Sequence, residues 1–88
     1  MPRIVITHDV AELERWLKGK DERAAAIGAF GTDVTDHLAA DGSNRVAVSA
    51  TINDLDVFQE LLDSPPPEVA ALMEAHGVLP PLTVYVES

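Results

Sequence analysis

The sequence predicts an α+β fold in which four strands form one antiparallel sheet and helices pack on one of its faces. Three observations lead there. Short runs rich in β-branched residues alternate with stretches whose apolar residues recur at helical spacing. Two of those runs, Thr32–Ala40 and Arg45–Ile52, flank Asp41-Gly42-Ser43-Asn44, which is turn chemistry, so they read as a hairpin. The second of the pair is small or apolar on both faces, and both therefore need cover.

In chain order, Ile4-Val5-Ile6-Thr7-His8 is a β-branched run of strand length, too short for a helix. Asp9 then offers a capping residue with Glu12 three positions on, the signature of a helix start. Val10, Leu13 and Leu17 fall at helical spacing with Trp16 beside them, while Glu12, Glu14, Arg15 and Lys18 take the solvent side. Gly19 reads as a stop. Asp21–Ile27 restarts a short helix, its carboxylates suiting the positive end of the dipole, and Gly28 ends it. Across Thr32–Ala40, Val34, Asp36 and Leu38 alternate with Asp33, Thr35 and His37 in the period of a strand. In the next strand Ala47, Ser49 and Thr51 share one face, and Val46, Val48, Ala50 and Ile52 the other. One layer of helices covers only one of these. The other calls for a partner.

Asn53 or Asp54 caps the following helix, whose apolar stripe is Leu55, Phe58, Leu61 and Leu62. Ser64-Pro65-Pro66-Pro67 cannot continue a helix but can begin one, because proline is tolerated in a first turn. Val69, Leu72, Met73 and His76 then repeat at helical spacing, and Gly77 terminates. Pro80 and Pro81 are expected to stiffen the approach to a last strand, Leu82–Glu87, and to be excluded from its centre. The order β-α-(α)-β-β-α-(α)-β describes two βαβ units in a ferredoxin-like arrangement, with the first and third strands central.

The 88 residues read as one domain, 1–88. A chain of this length buries roughly 60–65% of its unfolded surface, so self-association is a natural supplement. A hydrophobic fraction of 47% argues against disorder. The net charge of −9 repels phosphate backbones and anionic membranes, so neither a nucleic acid nor a membrane is expected as partner. The absence of cysteine rules out disulfides, thiolate metal sites and cysteine nucleophiles, and fits a reducing, cytoplasmic setting. The apolar run at the N-terminus stops too early for a signal peptide, and no stretch reaches the ~20 apolar residues a membrane span needs.

Arg45-Val46-Ala47-Val48 leading to Asn53-Asp54-Leu55, then Phe58, Leu61, Ser64-Pro65 and Met73-Glu74-Ala75-His76-Gly77-Val78 before the proline pair, resembles the dimeric α+β barrel superfamily. That superfamily includes antibiotic-biosynthesis-type monooxygenases, and the likeness is greatest to a group of small proteins within it. It covers most of Arg45–Glu87, while the first half matches in its order of elements. Ile52 stands where relatives often carry an aromatic, and Pro65–Pro67 is a longer proline run than usual. The resemblance implies a homodimer whose two sheets face each other, which would cover the second apolar face, and a ligand cavity between each sheet and its own helices.

His8, His37 and Tyr85 are the catalytic candidates: imidazole titrates near neutral pH, and a phenol can donate to a substrate carbonyl. Trp16, Ser49, Thr51 and Met73 are the candidates for lining a ligand. An Asp33–His37 dyad is excluded by distance, since residues four apart on a strand lie roughly 13 Å from each other. His76, in a last helical turn, reads as a cation complementing the helix dipole. No metal site is expected, because no His-x-x-x-His or His-Glu-x-x-His spacing occurs, and no cofactor, because neither a Walker loop nor a dinucleotide fingerprint is present. Two functions follow: a non-catalytic dimer that binds a small hydrophobic ligand or another protein, or a cofactor-independent monooxygenase, isomerase or cyclase acting on a small apolar or aromatic molecule.

Overall fold

The computed structural model describes residues 2–88. Its elements are β1 (Arg3–Val10), α1 (Leu13–Lys18), α2 (Lys20–Gly28), β2 (Gly31–Leu38), β3 (Arg45–Ile52), α3 (Leu55–Asp63), α4 (Pro67–Ala75) and β4 (Val78–Val86). The strands form one antiparallel sheet in the order β2-β3-β1-β4, so β1 and β3 are central as their apolar runs predict. No helix among the described residues is long and apolar enough to cross a membrane.

Strand alternation sets the core. Ile4, Ile6, His8 and Val10 of β1 are buried, as are Val46, Val48, Ala50 and Ile52 of β3, and this is the face the helices cover. Trp16 of α1 and Phe58 of α3 are the largest side chains brought down onto it. They divide it into two neighbouring clusters, Phe58 with Ile4, Ile6, Ala50 and Ile52, and Trp16 with Val10, Val46 and Val48. Each such side chain contributes about 1.5–3 kcal/mol by leaving water. The register Val5↔Ser49, with Val5↔Tyr85 on the other side, places the opposite parity on the open face of the sheet.

Local chemistry explains most element ends. Asp54 caps α3, its Oδ1 accepting from the Val57 N–H at 3.2 Å. Gly77 follows α4 at φ 74°, a left-handed conformation that glycine adopts without strain. Its carbonyl accepts from Ala11 N at 2.8 Å, tying the end of α4 to the end of β1. Asp33 also has positive φ, 56°, where the β2–β3 register shifts between Thr32 and Thr35; aspartate tolerates that region better than most residues.

Two boundaries differ from the sequence expectation. Asp9 does not cap α1. It pairs with Arg45 of β3 and Leu79 of β4, and β1 continues to Val10, because partners on both sides extend its ladder. The helix starts at Leu13 with Glu12 at its N-cap, and Leu17 is 41% exposed, so the stripe expected from Val10, Leu13 and Leu17 gives way to Trp16 as the buried residue. The last strand is also longer than Leu82–Glu87: it begins at Val78 and contains both prolines. They are accommodated because β4 is an edge strand and because its register with β1 shifts between the Leu79 and Thr83 pairings, where both prolines lie.

Candidate functional site

Beneath the sheet a cavity of about 100 Å³ lies between β1, β3, β4 and helices α2, α3 and α4. Its wall is almost wholly apolar, with Ile6 and Val48 from the sheet, Ile27, Phe58 and Leu72 among the helical contributions, and Met73 at its α4 side. His8 and Arg23 are the two ionisable residues in that lining.

Strand parity turns His8 inward with Ile4, Ile6 and Val10, and only 6% of it remains exposed. Its Nδ1 lies 2.9 Å from the Asp9 carbonyl oxygen. A carbonyl can only accept, so Nδ1 carries the proton and Nε2 keeps its lone pair. Burial, with a smaller contribution from the nearby Arg23 charge, lowers the His8 pKa below the ordinary imidazole value, although the Asp9 carbonyl acts in the opposite sense. Trp16 meets the imidazole edge to face, with ring centroids 6.2 Å apart.

Arg23 organises the end of the cavity. Its guanidinium carbon lies 3.9 Å from the centroid of the Trp16 ring, and Nη1 donates to the Trp16 carbonyl oxygen at 2.7 Å and to His76 Nδ1 at 3.2 Å. Nη2 donates to Asp36 Oδ2 at 2.9 Å, forming an ion pair buried on both sides. Trp16 Nε1, Arg23 Nε and Asp36 Oδ1 are enclosed without hydrogen-bond partners among the described residues. Asp36 thus engages one of the two parallel donors on that edge of the guanidinium.

His76 sits at the C-cap of α4, buried, and accepts from Arg23, so its neutral form is the one that fits. Burial and the Arg23 charge lower its pKa, opposed by Glu22, whose Oε2 lies 3.8 Å from Nε2. The expected role as a cation on the helix dipole is therefore corrected: a buried imidazole facing a guanidinium stays neutral. Arg15 of α1 serves the end of α4 instead, donating from Nε to the Ala75 carbonyl at 2.7 Å and from Nη2 to the Glu74 carbonyl.

The other candidates lie on the opposite face of the sheet. His37 Nε2 is 2.9 Å from Ser49 Oγ, and Arg3 reaches across from β1, Nη2 donating to Ser49 Oγ at 3.1 Å and Nη1 to Thr51 Oγ1 at 3.2 Å. Tyr85, 58% exposed on β4, borders a shallow depression with His37, Thr7 and Arg45. The seven candidates therefore divide, with His8, Trp16 and Met73 beneath the sheet and His37, Ser49, Thr51 and Tyr85 on its open face. Within one chain the sheet separates them, and they do not form a single site. Arg23, Asp36 and His76 were missing from the candidates. The available signal was parity, which turns Asp36 toward the helices and leaves an inward carboxylate in need of a cation. No group of three or more His, Asp or Glu residues that could hold a metal occurs among the described residues.

No protein-family model and no curated protein sequence matches this chain. Solved structures do. A protein from Agrobacterium tumefaciens superposes with a TM-score of 0.70 at 11% identity, covering 100% of this chain and 92% of its own. A protein described as an antibiotic biosynthesis monooxygenase gives 0.67 at 8% identity, covering 100% and 97%. A proposed antibiotic biosynthesis monooxygenase from Deinococcus radiodurans gives 0.62 at 11%, covering 100% and 91%. The chain thus has the ferredoxin-like α+β fold of these monooxygenase-like proteins, the fold that the resemblance of Arg45–Glu87 implies. Identities this low carry the fold and leave the chemistry to the site.

Proposed function

We propose that this protein is a homodimeric, non-catalytic binder of a small apolar molecule, held in the cavity between the sheet and its helices. The observation that carries the reading is the cavity wall: a space of about 100 Å³ lined almost entirely by hydrocarbon. Pockets that bind larger ligands span about 300–1,000 Å³ with several converging polar groups, whereas a dry apolar cavity of about 150 Å³ accepts benzene. The space here suits a single ring or a short branched chain. Pairing of the open sheet faces supports the dimer, since it would cover Val5, Ala47 and Thr51, and a cysteine-free sequence suits the cytoplasm.

The test is titration with benzene or toluene, followed through the methyl resonances of Ile6, Ile27, Val48 and Leu72. Shifts confined to these groups are expected. Ala26→Ile, which adds bulk to the α2 wall, should abolish them while preserving the fold by circular dichroism. Absence of shifts at saturating hydrocarbon would defeat the reading.

One observation favours a second reading, a cofactor-independent enzyme: His8 presents an unprotonated Nε2 beside the cavity, as a general base would. Exchange of an acidic ligand C–H for deuterium in heavy water, lost in His8→Phe, would move the assignment from binding to catalysis.

A further inference from the structure

The cavity is apolar but not featureless. His8 lines it, and the ring is fixed by its own backbone: Nδ1–H is committed to the Asp9 carbonyl. His8 Nε2 bonds no described residue, yet it is not among the polar atoms that the fold encloses without a partner. It therefore touches open space, and the cavity is the space His8 lines. The side chain points from the sheet toward the helices, and Nε2, on the far side of the ring from the Asp9 bond, is the nitrogen left to face this space.

Donors are scarce by the same accounting. Arg23 Nη1 gives both its N–H groups to the Trp16 carbonyl and His76, Nη2 gives one of its two to Asp36, and Nε is enclosed. The Trp16 indole nitrogen is enclosed as well. The polar end of the cavity is thus one acceptor, and each neighbouring donor nitrogen is engaged or shut away. A ligand carbonyl, ether or carboxylate would find at most the second Nη2 N–H of an already ion-paired guanidinium to accept from, and would leave His8 Nε2 unpaired. A cationic amine would have to be desolvated beside the Arg23 guanidinium.

Resting on the binding reading above, we infer that the ligand is a neutral, compact alcohol or phenol: one hydroxyl on an apolar body no larger than a single six-carbon ring, because the space of about 100 Å³ is smaller than the cavity of about 150 Å³ that admits benzene. The hydroxyl donates to His8 Nε2 while the ring or chain fills the space between Ile6, Val48, Phe58 and Met73. Fused-ring molecules are excluded by volume. Burial and Arg23 keep His8 unprotonated at neutral pH, so the acceptor is available there.

The test compares benzene, phenol and anisole on the full chain, with binding read from the cavity methyls and the His8 ring nitrogens read by long-range proton–nitrogen correlation. Phenol is expected to bind at least as tightly as benzene and to shift the Nε2 resonance while leaving Nδ1 nearly still. Anisole, which can only accept, is expected to bind roughly tenfold or more weakly than phenol. The inference is overturned if benzene binds and phenol binds tenfold more weakly, as an unpaired hydroxyl would, or if phenol binds without moving Nε2; both results leave the binding reading standing. If neither benzene nor phenol binds, both fall. The comparison needs no mutation. His8→Phe adds a check, since it should remove the preference for phenol over benzene.

Discussion

Gly19 joins α1 to α2, and its importance is steric. Its φ of −86° is open to any residue, but an added Cβ would lie 2.4–2.5 Å from three atoms of the His76 ring. Gly19→Ala must displace that imidazole, and with it the acceptor for Arg23. We expect a loss of about 1–3 kcal/mol in urea denaturation, the usual cost of overpacking. Gly28 is the control. A Cβ there meets nothing within 4 Å, so Gly28→Ala should be neutral or stabilising by up to about 1 kcal/mol. The two histidines around Arg23 make a second prediction. Both have folded pKa values lowered from 6.5, so between that value and their folded pKa values the unfolded chain binds more protons. Their contribution is intact above about 6.5 and is lost as pH falls below it. Burial is the main cause of both shifts; Arg23 adds to it at His8 against Asp9, and Arg23 and Arg15 add to it at His76 against Glu22. Unfolding free energy should decline from pH 6.5 downward, and His76→Gln, which keeps an acceptor for Arg23, should flatten part of that slope. An unchanged slope would remove His76 from the account. At this scale the sequence was only partly legible. Arg23 follows Asp21 and Glu22 in a run that reads as solvated charge, and what buries it, Asp36, His76 and Trp16, comes from three other elements.

Elements were easier to read than their ends. Hydrophobic periodicity finds all four strands and the helical stretches between them, because one buried face imposes a repeat on each. The ends of β1 and β4 depend on neighbouring strands, and a repeat within one segment carries no record of those. Asp9 is a good capping residue in isolation, but the ladder to Arg45 and Leu79 outweighs the cap. The C-terminus of α4 depends likewise on a distant residue. Arg15 holds the Glu74 and Ala75 carbonyls from 59 and 60 positions earlier in the chain. Arg15→Met should leave α4 in place but loosen its last turn, seen as faster hydrogen exchange at the His76 and Gly77 amides with little change at Leu72. Equal exchange in both proteins would show that the packing of His76 alone secures that end.

For the whole molecule, the two faces of the sheet have different roles. One is filled by helices and encloses the cavity. The other carries Arg3, His37, Ser49 and Thr51 in a bonded network beside small residues such as Ala47. The apolar and small residues of β3 announced that both faces need cover, and in the single chain part of that cover comes from Arg3 lying over Ser49 and Thr51. That contribution was hidden because Arg3 reads as a surface residue of β1. The proposed dimer predicts that Ala47→Arg, which places a long charged side chain at the middle of the open face, lowers the sedimenting mass toward that of one chain, about 9.4 kDa, without loss of secondary structure. A parent protein already sedimenting as one chain would refute the paired-face proposal.

The prolines of β4 bear on a different question, how such a sheet avoids growing without limit. An exposed edge strand is a template on which another chain can add its own backbone, and repeated addition leads to fibres. Pro80 and Pro81 carry no N–H, so a strand adding to this edge would meet a break in its ladder between Leu79 and Leu82. The same short segment that the sequence marks as a stiff approach to the final strand thus hinders open-ended growth of the sheet at its β4 edge.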